Sequence, residues 1–117
     1  MFHSYKRSER VGDLIRREIA DIIMHKTKDP RIGFITVTGV DLSNDLRHAK
    51  VYISVYERET EGTEENTLQA LKNATGFIRG ELSKRIRLRF MPEIVFKLDK
   101  SAEYGEKIER LLRGQNE

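Results

Sequence analysis

Apolar residues recur at three- and four-residue intervals near the start of the chain, at Val11, Leu14, Ile15, Ile19, Ile22 and Ile23. That spacing lines one stripe of a helix. Arg10, Arg16, Arg17, Glu18 and Asp21 fall largely off the stripe. The pattern predicts a helix over residues 8–26, with Ser8 as its N-cap and Glu9 in the first turn, where the helix dipole favours an acid. Pro30 disfavours helical geometry at the residue before it, so Lys28-Asp29-Pro30-Arg31 reads as a turn. The period then changes. Residues 34–42 are rich in β-branched side chains and read as a strand, and Gly39 inside it predicts a bulge or a close backbone approach. Beyond the polar turn Leu42-Ser43-Asn44-Asp45, residues 49–56 alternate. Ala49, Val51, Ile53 and Val55 face one way; Lys50, Tyr52, Ser54 and Tyr56 face the other. Such alternation marks a half-buried strand, and the short connection predicts an antiparallel hairpin.

An acidic loop around Gly62 follows, and Thr63 can cap a second helix with Glu64 and Glu65 in its first turn. Leu68, Leu71 and Ala74 supply its apolar stripe. Gly76 disfavours an unbroken helix, so a kink is expected there. The third helix should carry Phe77, Ile78, Leu82 and Ile86 inward and leave Arg79, Ser83, Lys84 and Arg87 largely outward. After Pro92, Ile94, Phe96 and Leu98 alternate with Val95, Lys97 and Asp99 as a third strand. A short last helix is expected over residues 101–113, with Ile108, Leu111 and Leu112 packing back and Gly114 ending it. The order predicts an α+β fold, a three-stranded sheet covered by helices on one face. At 117 residues the chain suits one domain over 1–117 with a small core.

Charge changes the picture because it is segregated. The net charge is only +3. Yet Lys72, Arg79, Lys84, Arg85, Arg87 and Arg89 stand against the single acid Glu81, while residues 57–65 are dense in glutamate. One strongly positive face suits a polyanion binder, although a solvated charged surface has the same composition. The helix break at Asn73-Ala74-Thr75-Gly76 sits beside this charge, where backbone can approach a phosphate chain closely. Tyr52 and Tyr56 on the polar face of the second strand either stack on bases or cover the sheet. Arg31 and Arg47, at turns, are either solvated or in contact with phosphate.

Catalytic chemistry finds little support. The chain has no cysteine, so it has no disulfide, thiolate metal site or cysteine nucleophile. His3, His25 and His48 share no ligand spacing. Neither a phosphate loop nor a dinucleotide-binding fingerprint is present, and the acidic loop has no apolar surround to separate the pKa values of two carboxylates. No enzyme activity, metal or cofactor is expected. The N-terminal residues lack an apolar signal core and no apolar run approaches membrane-spanning length, which leads to the expectation of a soluble cytoplasmic protein. No spare apolar stripe suggests a dimer, so a monomer is expected. Two competing readings are a protein-interaction adaptor docking its basic helix on an acidic surface, and a nuclease that trims RNA.

The order of elements resembles the type II KH fold, in which an N-terminal helix and strand precede a strand–helix–helix–strand core. Standard KH domains have a G-x-x-G loop between the paired helices that clamps the nucleic-acid backbone; here Asn73-Ala74-Thr75-Gly76 keeps only the last glycine. Ala74-Thr75-Gly76 is similar to the Ala-x-Gly kink of the bacterial ribosome-binding factor A family. The likeness extends through Arg7-Ser8-Glu9-Arg10-Val11, Asp29-Pro30-Arg31, Thr36-Val37-Thr38 and Ala49-Lys50-Val51-Tyr52-Ile53-Ser54-Val55. It continues in Gly76-Phe77-Ile78-Arg79, Arg87-Leu88-Arg89 and Pro92-Glu93-Ile94. The resemblance implies a non-catalytic assembly factor for late maturation of the small (30S) subunit. Such a factor binds free 30S subunits and 16S rRNA near the 5′-terminal helix, is needed for efficient 16S rRNA processing, and is linked to growth in the cold. On this reading Lys72, Arg79, Lys84, Arg87 and Arg89 contact phosphates. Asn73, Ala74, Thr75 and Gly76 form the close-approach junction, and Arg10 and Arg17 on the first helix are secondary contacts.

Overall fold

The computed structural model describes residues 6–27, 32, 35–55 and 63–113. The turn at Asp29-Pro30-Arg31, Tyr56 and the acidic loop around Gly62 lie outside them. Helix α1 (Arg7–Lys26) precedes strands β1 (Ile35–Leu42) and β2 (His48–Val55). Helices α2 (Thr63–Asn73) and α3 (Thr75–Arg85), strand β3 (Glu93–Leu98) and helix α4 (Ser101–Leu112) follow. The sheet order is β1-β2-β3, with β2 antiparallel to β1 and parallel to β3. A parallel pair needs a crossover connection, and the α2–α3 pair supplies it.

Alternation in the strands decides which face is buried. Val37, Leu42, Ala49, Val51, Ile53, Val55, Ile94 and Phe96 point to one face and are buried there. Ile15, Ile19, Ile22 and Ile23 of α1, Leu71 of α2 and Ile78 and Leu82 of α3 close over them. Each of these aliphatic side chains contributes about 1.5–3 kcal/mol by leaving water. The opposite face carries Lys50, Val95 and Lys97 exposed, with Tyr52 half-buried. The expected α+β layering, helices on one face, is therefore the observed one.

Local details differ from expectation in instructive ways. Ser8 is not the N-cap of α1: the cap is Lys6, whose backbone N–H donates to Glu9 Oε1 at 2.9 Å, and Ser8 is buried inside the first turn. The bulge expected near Gly39 is present. The β1–β2 register shifts between Val37 and Gly39, leaving Thr38 as the extra residue. Its hydroxyl donates to Asp99 Oδ2 at 2.6 Å, and Asp99 Oδ1 accepts from the Ser101 N–H at 2.9 Å and the Ser101 hydroxyl at 2.6 Å. Asp99 thus ties the bulge of β1 to the start of α4. These hydrogen bonds, first that from the Ser101 hydroxyl, hold its carboxyl below the usual aspartate range.

Helix α4 packs back less than its spacing suggested: Ile108 is half-buried, but the two leucines are not. Leu111 and Leu112 are 66% and 81% exposed, because α1, α2 and α3 already fill the apolar face of the sheet. The β1–β2 turn is held by side chains. Ser43 Oγ donates to Asp45 Oδ1 at 2.6 Å and accepts from the N–H groups of Arg47 and His48. Leu46 has a φ of 64°, the left-handed region that a bulky residue seldom adopts.

Candidate nucleic-acid interface

The helix break is real but lies two residues before Gly76. Ala74 is the one non-helical residue between α2 and α3, with φ −91° and ψ 2°. Its N–H still donates to Ala70 O at 3.0 Å, and its carbonyl accepts from Ile78 N at 2.9 Å. Thr75 Oγ1 donates back to Leu71 O at 3.1 Å, meeting one of the last carbonyls of α2. A helix start leaves its first N–H groups without partners inside the helix. Among the described hydrogen bonds none is made by the N–H of Thr75, Gly76 or Phe77. Gly76, exposed in the first turn of α3, would present nothing within 4 Å to an added Cβ. Neither a strained φ nor a close neighbour requires glycine at this position, and the backbone there is exposed.

Around this start Lys72 and Asn73 are exposed, and Phe77 is 47% exposed instead of buried. The reason lies in helix geometry. The inward line of α3 runs through Ile78 and Leu82, and a neighbour along the chain is rotated by about 100°, which carries Phe77 to the flank. Gly76, Gly80 and Ser83 lie along the exposed side, bordered by Lys84.

Arg79 corrects the expected outward basic row. It is half-buried, with Nε donating to Pro92 O at 3.0 Å and Nη2 to Met91 O at 2.9 Å. Its guanidinium anchors the loop before β3. Arg85 is similarly occupied. One Nη1 lies 3.1 Å from Glu18 and 2.7 Å from Asp21, joining α3 to α1. The Arg85 hydrogen bond, ahead of that from His25, draws the Asp21 carboxyl below its usual range. Lys84 pairs with Glu81 at 3.2 Å on the surface, a contact worth little in water.

The remaining cations divide into groups. Lys72 sits at the junction, whereas Lys84, Arg87 and Arg89 lie toward or beyond the far end of α3, roughly 12 Å or more along the axis from Gly76 at 1.5 Å per residue. Arg10 and Arg17 are exposed on α1. The structure also brings Arg47 and Arg89, each named separately from the sequence, together around Phe90, which was not. Arg47 from the β1–β2 turn stands 4.6 Å from the centroid of the Phe90 ring, and Arg89 stands 5.5 Å from it. The signal available beforehand was an aromatic residue directly after Arg87-Leu88-Arg89. Among the described residues no group of acids and histidines could hold a metal ion, and no helix is long and apolar enough to cross a membrane.

Helix order, a mixed three-stranded sheet and paired helices joined at Ala74 define the class: a KH-like α+β fold with a basic, backbone-accessible helix junction. The model of the ribosome-binding factor A family matches residues 7–112. Ribosome-binding factor A of Staphylococcus epidermidis is 52% identical over 107 residues, covering 92% of this chain and 90% of that one. The crystal structure of ribosome-binding factor A from Thermus thermophilus superposes with a TM-score of 0.68 at 28% identity, over 78% of this chain and 94% of its own. The solution structure of a Thermotoga maritima protein assigned as a ribosome-binding factor A gives a TM-score of 0.71 at 30% identity, over 83% and 91%. A Thermus thermophilus ribosome-binding factor A homology model, fitted into the cryo-EM map of its complex with the 30S subunit, gives 0.63 at 30% identity, over 83% and 97%. The chain belongs to the ribosome-binding factor A family, whose members are ribosome-binding and not catalytic proteins.

Proposed function

We propose that this protein binds the free small ribosomal subunit and assists its late maturation, contacting single-stranded 16S rRNA near the 5′-terminal helix and promoting its processing without chemistry of its own. It acts in the cytoplasm as a one-domain monomer, and its effect is greatest in the cold, where misfolded RNA escapes slowly. One observation carries the reading: a relative of the same fold, 30% identical, was fitted into the map of a 30S complex. The site geometry supplies the means. Free N–H groups and an exposed glycine at the start of α3 suit a phosphate, with Lys72 and Asn73 beside them. Thr75 and Ala74 set the helix start. Lys84, Arg87 and Arg89, with Arg10 and Arg17, extend the positive surface. Arg79 contributes charge but is committed to the fold. Contacts of this kind recognise backbone and shape. Binding one of two RNA conformers shifts their population by the difference in affinity, and electrostatic binding releases readily as salt rises.

Sedimentation with free small subunits and, separately, with intact ribosomes tests the proposal. Co-sedimentation with free subunits alone, weakened by alanine at Lys72, Lys84 and Arg87, is the expected result. Equal binding to both particles, or to neither, would overturn it. A complex that survives nuclease digestion of its RNA would point to a protein adaptor.

A further inference from the structure

At the far end of α3 from the Ala74 junction, three arginines from separate parts of the chain converge. Arg7 comes from the first turn of α1, Arg47 from the β1–β2 turn and Arg89 from the loop between α3 and β3. They line a cleft of about 210 Å³ with Phe90 on its wall. Among the described residues none of the three has a carboxylate within ion-pair distance. Asp45, the one acid lining the cleft, is turned to its own turn: Oδ1 accepts from the Ser43 hydroxyl at 2.6 Å and the Arg47 N–H at 3.1 Å. Asp45 acts on Arg47 only through space and through the Arg47 N–H, so one engaged carboxylate faces three guanidinium groups whose like charges repel one another, and the cleft keeps an excess of positive charge.

Two more features point to a ligand. Phe90 is 52% exposed, and it supports two guanidinium groups on its ring, which holds arginine forks in a limited set of orientations. Leu46, immediately before Arg47, keeps a left-handed backbone that a bulky residue adopts only against strain. The Ser43 network and the partial burial of Leu46 against the core maintain that strain, and it sets where Arg47 emerges. Forked cations beside an available aromatic ring match the two halves of a nucleotide, its phosphate and its base. An acidic peptide would use the arginines and leave Phe90 without a role.

We propose that this cleft receives one nucleotide of a single-stranded RNA segment, with Arg7, Arg47 and Arg89 around its phosphate and Phe90 against its base. The inference rests on the RNA-binding reading above and adds a second contact, separate from the Ala74 junction.

Anisotropy titrations of the full chain with a short oligouridylate and with an abasic RNA of equal length, at several salt concentrations, test it. Phe90→Leu should weaken binding of oligouridylate about 5- to 150-fold, as for loss of one stacked base, while leaving the abasic RNA within about twofold of wild type. Arg47→Ala should weaken both RNAs and lower the salt slope by about 0.7, and Arg47→Lys should restore the slope. Phe90 and Arg47 are exposed, so unchanged melting temperatures confirm folding. If the wild type binds with normal salt dependence and both variants match it, the cleft proposal fails and the RNA-binding reading stands. If the wild type binds neither RNA at any salt, both fail. Variants with wild-type RNA affinity but weakened binding to small subunits would make the cleft a protein-docking surface, which also overturns the proposal.

Discussion

Replacing Arg79 by alanine separates two roles that a basic residue on an RNA-binding helix can have. If Arg79 is an anchor, its loss frees the carbonyls of Met91 and Pro92, which its Nη2 and Nε reach at 2.9 and 3.0 Å. Hydrogen bonds to a charged group are each worth about 1.5–3 kcal/mol. The two share one side chain, and water can reach part of the opened loop, so the net loss should be about 2 kcal/mol. For a domain of this size that lowers the melting temperature by roughly 8 °C. Arg79→Lys keeps the charge but not the fork, and should lose about half as much stability. Thermal unfolding followed by far-UV circular dichroism measures all three proteins, and RNA titration at a temperature where each is folded measures the other role. The anchor reading requires Arg79→Ala to be clearly destabilised and Arg79→Lys intermediate. A melting temperature within about 2 °C of wild type for Arg79→Ala, with RNA affinity reduced as strongly as in Lys84→Ala, would refute it and restore Arg79 to the outward basic row.

Two further outcomes are expected. Gly76→Ala and Gly80→Ala each place a Cβ in open space on a helix, so each should raise stability by about 0.5–1 kcal/mol; only Gly76→Ala should weaken RNA binding, and equal RNA affinity in both would deprive the α3 start of its role. Asp99 titrates below the ordinary aspartate value of 3.8 in the folded protein, so its contribution is complete above that pH and is lost as pH falls through the folded value. Calorimetric melting from neutral pH to below pH 3.8 should therefore fall more steeply for wild type than for Asp99→Asn, and parallel curves would show that the Thr38–Asp99–Ser101 link carries no stability.

How much was legible in the chain follows from the range of the forces involved. Periodicity in α1 and alternation in β2 and β3 are set within a few residues by side-chain direction, and a glycine inside a strand marked the neighbourhood of the bulge, whose extra residue is Thr38. These sufficed for the element order, the buried face and the KH-like class, and the ordered motifs sufficed for the family. The helix break was visible as a region, but its position was not. Gly76 drew attention through propensity, whereas the non-helical residue is Ala74, between Leu71 and Ile78, which are both buried in the same core.

Only the tertiary structure decided what each charge does. Arg79, Lys84, Arg85 and Arg87 read alike along α3 and just past it. Yet Arg79 meets carbonyls twelve and thirteen residues away, and Arg85 meets carboxylates more than sixty residues away. Arg87 remains exposed. The gathering of Arg7, Arg47 and Arg89 around Phe90 likewise depends on three chain segments meeting beyond the end of α3. A helix or strand states its own buried face, because burial follows local repeat. A charged side chain takes its role from whatever partner the fold brings within about 3 Å, and that partner is set by the packing of distant segments.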